Sequence, residues 1–261
     1  MKIRFSKYHG TGNDFILIDN RNLQWEPGAN EVAFLCNRHF GIGADGLMLL
    51  SAEEGFDFAM TYFNSDGNES TMCGNGGRCM TAFALSLGLI QNHARFQAID
   101  GVHEAYLNDV GQGQLCRLKM VDTAIEKIYS DGVCINTGSP HFVTFVDHAA
   151  EIDVAVKGKL LRNDHRFSPG GTNVNFVEIT SEGLFVRTYE RGVEGETLSC
   201  GTGVTAAALV YAFANHVDTN HVKVITSGGN LSVYFQRLND KYSEIWLEGP
   251  AAKVFSGEII L

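Results

Sequence analysis

Glu196-Thr197-Leu198-Ser199-Cys200-Gly201-Thr202-Gly203 runs straight into an apolar segment, 204–213, and its layout occurs a second time in the chain. Glu69-Ser70-Thr71-Met72-Cys73-Gly74-Asn75-Gly76 has the same order: a glutamate, a hydroxyl residue, two spacers, then Cys-Gly-polar-Gly. It too leads into an apolar helical segment. The two cysteines stand 127 positions apart (200 − 73), close to half of the chain's 261 residues. A second echo supports the repeat. Thr137-Gly138-Ser139-Pro140-His141-Phe142 resembles Thr11-Gly12-Asn13-Asp14-Phe15, and the interval from Ser139 to Cys200 is one residue longer than that from Asn13 to Cys73. A duplicated unit explains both matches.

Working outward, each half supplies the same elements. In the first, alternating residues at 2–8, a glycine-rich turn at 9–14 and an apolar run at 15–18 predict a hairpin. A helix is expected at 30–38 with Asn30 as its cap, followed by strands at 47–50 and 56–63. Gly41-Ile42-Gly43-Ala44-Asp45-Gly46 matches the dinucleotide fingerprint in form, but a helix precedes it and a strand follows, the reverse of what that motif needs. The segment 79–87 is apolar almost all round and is expected to be buried on most sides. Strands at 95–99, 104–107 and 115–120 would surround it, separated by turns at Asp100-Gly101 and Gly111-Gln112-Gly113. After a linker-like stretch at 122–132 the plan repeats. A helix is expected at 147–161, strands at 174–180 and 184–190, a second apolar helix at 205–215, and closing strands at 221–226, 231–236 and 242–247.

The expected fold is α+β, with two similar lobes, each a curved, mostly antiparallel sheet wrapped around a buried central helix, and the active site in the cleft between them. Residues 1–121 form the lobe that carries Cys73, 122–250 the lobe that carries Cys200, and 251–261 a tail able to pair back with the first lobe.

Composition narrows the function classes. With 30 acidic and 20 basic side chains the formal charge is −10, which argues against a nucleic-acid partner. No apolar run approaches the roughly 20 residues that span a bilayer, and the first residues do not form a signal core, so a cytoplasmic protein away from the membrane is expected. There the six cysteines stay reduced. Core packing accounts for Cys36, Cys79, Cys116 and Cys134, none of which opens a glycine corner.

Cys73 and Cys200 invite a chemical reading. A thiol at a helix N-terminus sits among unpaired N–H groups that stabilise a thiolate and any neighbouring anion. Inverting a carbon that bears hydrogen takes a base on one face and an acid on the other, and two such thiols can exchange those roles at each turnover. The same N–H groups can hold a carboxylate as charge grows beside it.

The runs His9-Gly10-Thr11-Gly12-Asn13-Asp14-Phe15, Cys73-Gly74-Asn75-Gly76-Gly77-Arg78-Cys79, Gly138-Ser139-Pro140-His141, and Glu190-Arg191 through Cys200-Gly201-Thr202-Gly203 resemble the diaminopimelate epimerase family in kind and order. The resemblance implies a cofactor-independent, metal-free isomerase that interconverts LL- and meso-2,6-diaminopimelate for lysine and peptidoglycan synthesis. It implies that Cys73 and Cys200 are the acid/base pair, assisted by His141 and Glu190. It also implies substrate contacts from Asn13, Asn64, Gly74, Asn75, Asn173, Glu190, Arg191, Gly201 and Thr202, with a homodimer allowed. Arg191 suits a carboxylate and Glu190 an ammonium, as a substrate with two amino-acid heads requires. The chain departs from some members at Ser139, where they carry Asn, at Gly46, where they carry Gln, and in a longer loop through Glu194.

Other functions use some of these residues. A thiol–disulfide oxidoreductase would want a Cys-x-x-Cys pair, which is absent. A cysteine hydrolase would employ one thiol with His141 and leave the other idle. A proline-racemase-like enzyme shares the two-thiol logic with another substrate, and a non-catalytic amino-acid-binding module would not need both cysteines.

Overall fold

The structure, a computed structural model, describes residues 1–109 and 114–261; the turn expected at Gly111-Gln112-Gly113 lies outside them. The chain divides into two compact units, one of Met1–Leu118 with Gly249–Leu261, the other of Lys119–Glu248.

The first unit opens with strands β1 (Lys2–Gly10) and β2 (Asn13–Asp19). Their two-residue turn, Thr11 and Gly12, has both φ angles positive (49° and 86°), the geometry whose twist suits a tight hairpin. Helix α1 (Ala29–Cys36) crosses to β3 (Gly46–Ser51), parallel to β2, and β4 (Phe58–Asn64) and the short β5 (Glu69–Ser70) follow antiparallel. Helix α2 (Gly74–Ser86) leads to β6 (His93–Ala98), parallel to β4, then to β7 (Gly101–Asp109) and β8 (Gln114–Lys119) as antiparallel neighbours. The C-terminal segment pairs with β1, Lys2 opposite Ile260 and His9 opposite Ala252, and the strand that carries it also pairs with β8, so the sheet closes on itself.

The apolar run in β2 is buried on both faces, as expected of a strand covered on two sides. Ile16 and Ile18, with Leu47 and Leu49 of β3, pack outward under Val32, Leu35 and Cys36 of α1. The alternate residues face α2, which packs against β1, β2, β3 and β7. Residues 74–84 of α2 are all buried, and many are small: Gly74, Gly76, Gly77, Thr81, Ala82 and Ala84. A helix with ordinary side chains is about 10–12 Å across, so one enclosed by a small barrel must keep its side chains short.

The second unit repeats this order with one strand moved. It starts with β9 (Thr123–Tyr129), then the hairpin β10 (Gly132–Asn136) and β11 (Pro140–Phe145). Helix α3 (Val154–Arg162) crosses to β12 (Asn173–Thr180), parallel to β11, and β13 (Gly183–Glu190) and β14 (Gly195–Thr197) follow. Helix α4 (Gly201–Ala214) leads to β15 (His221–Thr226), parallel to β13, then to β16 (Gly229–Leu238) and β17 (Lys241–Ile260). β9 pairs with both β10 and β17, closing the ring. It therefore holds the place that the C-terminal segment holds in the first unit.

Several sequence expectations are corrected. The stretch 122–132 is no linker, since β9 lies within it; none of the strand's side chains is fully buried, which gives it a linker's polarity. Helix α1 begins after Gly28, whose N–H donates to Glu31 Oε2 at 2.8 Å, so Asn30 is not its cap. The helix expected from 147 starts only at Val154, where Asp153 Oδ1 accepts the N–H of Val156; before it lies a single turn of 3₁₀ helix, Ala149–Glu151. β17 does not stop near 247 but continues to Ile260. Among the described residues no helix is long and apolar enough to cross a membrane, and no group of three His, Cys, Asp or Glu is placed to hold a metal ion.

Candidate functional site

Cys73 is the N-cap residue of α2 and Cys200 that of α4, each with extended backbone. Each carbonyl accepts the first intrahelical hydrogen bond, from Gly77 and Val204 respectively, both at 2.8 Å. The N–H groups of the first turn are therefore directed at the thiol end of each helix. No disulfide joins any of the six cysteines.

In the first unit Cys73 is partly exposed, and its Sγ accepts the N–H of Gly76 at 3.2 Å. The next residues are fixed by Asn75. Its Oδ1 accepts Arg78 Nη2 at 2.8 Å and Thr11 Oγ1 at 3.3 Å, and its Nδ2 donates to Asn13 Oδ1 at 3.2 Å. Asn13 in turn donates to Asp45 Oδ2 at 2.7 Å. Thr11, a β-branched residue at positive φ, is held in that costly conformation beside the corner. Behind it Asp14 meets Lys7 at 2.8 Å and Arg38 at 2.7 Å. Burial raises the Asp14 carboxyl, but these two cations outweigh it and hold the group well below the usual carboxylate range. Asn64 lies opposite Gly46 at the end of β4, its N–H bonded to Asn68 O. A β-carbon on Gly46 would come within 2.6 Å of Phe63 O and 2.5 Å of the Tyr62 ring, so this chain has no room there for a glutamine.

In the second unit Cys200 is 6% exposed, with Sγ 3.4 Å from Thr202 Oγ1. Thr137 Oγ1 donates to Thr202 O at 2.9 Å, tying the hairpin to the helix corner. Ser139 Oγ lies 3.3 Å from Thr202 Oγ1 and 3.0 Å from His141 Nε2, and accepts Asn173 Nδ2 at 3.1 Å. Asn173 Oδ1 accepts the N–H of Arg191 at 2.8 Å, and Glu190 Oε2 accepts Thr197 Oγ1 at 2.9 Å. His141 is 1% exposed; burial first, and the Arg191 charge next, push its imidazole down to about 3, so the ring is neutral at ordinary pH.

The expected residues thus fall into two groups. Cys73, Gly74, Asn75 and Asn13 meet at the corner of α2, with Asn64 on β4. Cys200, Gly201, Thr202, His141, Asn173, Glu190 and Arg191 belong to the corner of α4 and the strand ends beside it. Sequence reasoning passed over Asn175 and Thr188, which lie beneath α4, and Arg78. Two signals were present: Asn175 is two residues beyond Asn173, hence on the same strand face, and Arg78 is the one charge in an otherwise apolar helical run.

The fold is that of a phenazine biosynthesis protein of the PhzF family from Bacillus anthracis (TM-score 0.80, 12% identical, all of both chains covered). It is equally that of a hydroxyproline epimerase from Agrobacterium vitis (TM-score 0.72, 16% identical, covering 100% of this chain and 93% of that one). The family model for diaminopimelate epimerase matches residues 5–122 and 133–254, and the diaminopimelate epimerase of Flavobacterium psychrophilum is 47% identical over 260 residues, 98% of this chain and 100% of that protein. The chain belongs to the diaminopimelate epimerase family.

Proposed function

We propose that this protein epimerises LL-2,6-diaminopimelate to the meso form by a two-base mechanism in which Cys73 and Cys200 act from opposite faces of one α-carbon. The observation that carries the reading is the repeated corner: each unit presents one cysteine as the N-cap of its buried central helix. One cysteine, as thiolate, removes the α-proton; the other, as thiol, returns a proton to the other face. The pair exchanges protonation states, and the reverse reaction starts from the exchanged form.

Removing that proton places negative charge on the α-carbon and its carboxylate. The N–H groups of Gly74-Asn75 and Gly201-Thr202 are suited to that charge, and donors of this kind are typically worth about 3 kcal/mol each. Because thiols and helix ends supply acid, base and anion stabilisation, the mechanism calls on no cofactor. Glu190 and Arg191 match the ammonium and carboxylate of an amino-acid head, with Asn13, Asn64 and Asn173 as neutral hydrogen-bonding partners. His141 and Glu190 assist the thiols. The reading places the enzyme in the cytoplasm, in lysine and peptidoglycan precursor synthesis.

The test is isotope exchange. Incubated with diaminopimelate in deuterated water and no added cofactor, the protein is expected to put deuterium on an α-carbon; retention of all α-hydrogen overturns the reading. Replacing either Cys73 or Cys200 with alanine is expected to slow epimerisation by about 10²- to 10⁴-fold, the usual range for an acid–base residue.

A further inference from the structure

The hydrogen bonds beneath α4 have a direction that can be worked out from their ends. Asn175 Oδ1 accepts Thr188 Oγ1 at 3.0 Å, and its Nδ2 lies 3.2 Å from Phe142 O and 3.1 Å from His141 Nδ1. A main-chain carbonyl can only accept, so the amide orientation is fixed and Nδ2 donates to both. His141 Nδ1 is therefore an acceptor. In a neutral imidazole the proton then sits on Nε2, which donates to Ser139 Oγ.

The other end of the chain is fixed in the same way. Asn173 Nδ2 donates to Pro140 O at 2.9 Å as well as to Ser139 Oγ, and its Oδ1 accepts Arg191 N–H, so this amide is also pinned. Ser139 Oγ thus receives two donors, from His141 and Asn173, and both of its lone pairs are engaged. Its own proton is left to point at Thr202 Oγ1. Thr202, having accepted that bond, directs its proton at Cys200 Sγ, 3.4 Å away.

We propose that Ser139 and Asn175 are positioning residues that polarise a chain running Asn175 to His141 to Ser139 to Thr202, so that it ends as a hydrogen-bond donor to Cys200 Sγ. A donor aimed at sulfur stabilises the thiolate relative to the thiol. Cys200 is thereby prepared to act as the base by a neutral relay. A serine at 139 suits the part because its single oxygen both accepts two bonds and passes a third onward. The catalytic consequence rests on the reading of Cys200 as an acid/base residue; the relay itself can be tested without substrate.

The test is the pH profile of iodoacetamide alkylation of the substrate-free enzyme, with Cys200 and Cys73 followed separately by peptide mass. Ser139→Ala is expected to raise the Cys200 midpoint by up to about one pH unit, because Thr202 is no longer held with its proton on Sγ, while the Cys73 midpoint stays in place. Ser139→Thr, which keeps the hydroxyl, is expected to restore it. Thr202→Val is expected to give at least the same rise, and Ser139→Ala combined with it no further rise, because links in series are not additive. The nearby charged groups are Glu190 and Arg191 at the end of β13 and the Arg187–Glu196 pair joining β13 to β14, and none of these variants alters them. An unmoved Cys200 midpoint in Ser139→Ala, equal shifts at both cysteines, or additive shifts in the double variant would each overturn the relay. A relay that fails while deuterium exchange persists leaves the epimerase reading standing.

Discussion

At the corner of α2 the turn below the cysteine is held by a buried cation, whereas at the corner of α4 the same turn is held by neutral groups. Five residues after each cysteine a side chain reaches back to the carbonyl of the residue that follows it. Arg78 Nη1 donates to Gly74 O at 3.2 Å, and Thr205 Oγ1 to Gly201 O at 2.9 Å. Arg78 is fully buried, and its guanidinium also bonds Asn75 Oδ1 and Pro250 O, with no carboxylate partner among the described residues. The floor differs as well. Under Gly76 lies the Met48 methyl, and under Gly203 the Asn175 amide and the Thr188 hydroxyl. Phe15 in β2 and His141 in β11 hold matching places, opposite Gly46 and Asn173 in the parallel pairs. Duplication kept the backbone corner and exchanged its electrostatics. The first thiol has a charge and an apolar floor; the second has a polarised chain of neutral groups.

The largest expected consequence concerns the cation. Arg78→Met removes the guanidinium's hydrogen bonds to Asn75, Gly74 and Pro250 in a dry interior and is expected to cost about 3 kcal/mol of stability. Thr205→Val, its equivalent, loses one local bond and should cost about 1 kcal/mol. Urea denaturation of both variants checks this, and equal losses would break the contrast.

A smaller effect comes from the floors. A β-carbon on Gly203 would press on Asn175 Oδ1 and Thr188 Oγ1, two atoms tied into the hydrogen-bond chain, so Gly203→Ala is expected to cost about 1–3 kcal/mol. On Gly76 it would meet the end of the flexible Met48 side chain, which can swing aside, and the cost should stay below about 1 kcal/mol. Thermal melts that rank the two in the opposite order would show that the second floor is the softer.

The corners were readable in the amino-acid order because their chemistry is local: a cysteine, two glycines and an apolar run within one segment. The duplication was readable for the same reason. What escaped was decided by partners distant in sequence. β9 carries a half-polar face because only part of it is covered, and nothing in its residues announces that it completes a ring with β10 and β17. The continuation of β17 to Ile260 depends on pairing with β1 at the far end of the chain. Asn175 and Thr188 look like ordinary strand residues until α4 is laid over them. Arg78 is a lone charge in an apolar helix, and two of its acceptors are distant: Thr11 Oγ1 in the hairpin turn and Pro250 O, 172 positions away.

The finest test of the contrast is pH. The first unit has Phe15 where the second has His141, so only the second floor can titrate. Burial and the Arg191 charge push His141 down from 6.5 to about 3, so between those values the unfolded chain binds a proton that the folded protein refuses. Stability is therefore fully present above 6.5 and falls as pH drops below it, levelling only near 3. From pH 7 to pH 6 this one group should remove about 0.5–1 kcal/mol. His141→Gln, which cannot titrate, should lose correspondingly less over the same interval when urea midpoints are compared. If parent and variant lose stability in parallel, His141 accepts its proton inside the folded protein. Its Nδ1 would then not be held as an acceptor, and the direction of the chain toward Cys200 would lose its starting point.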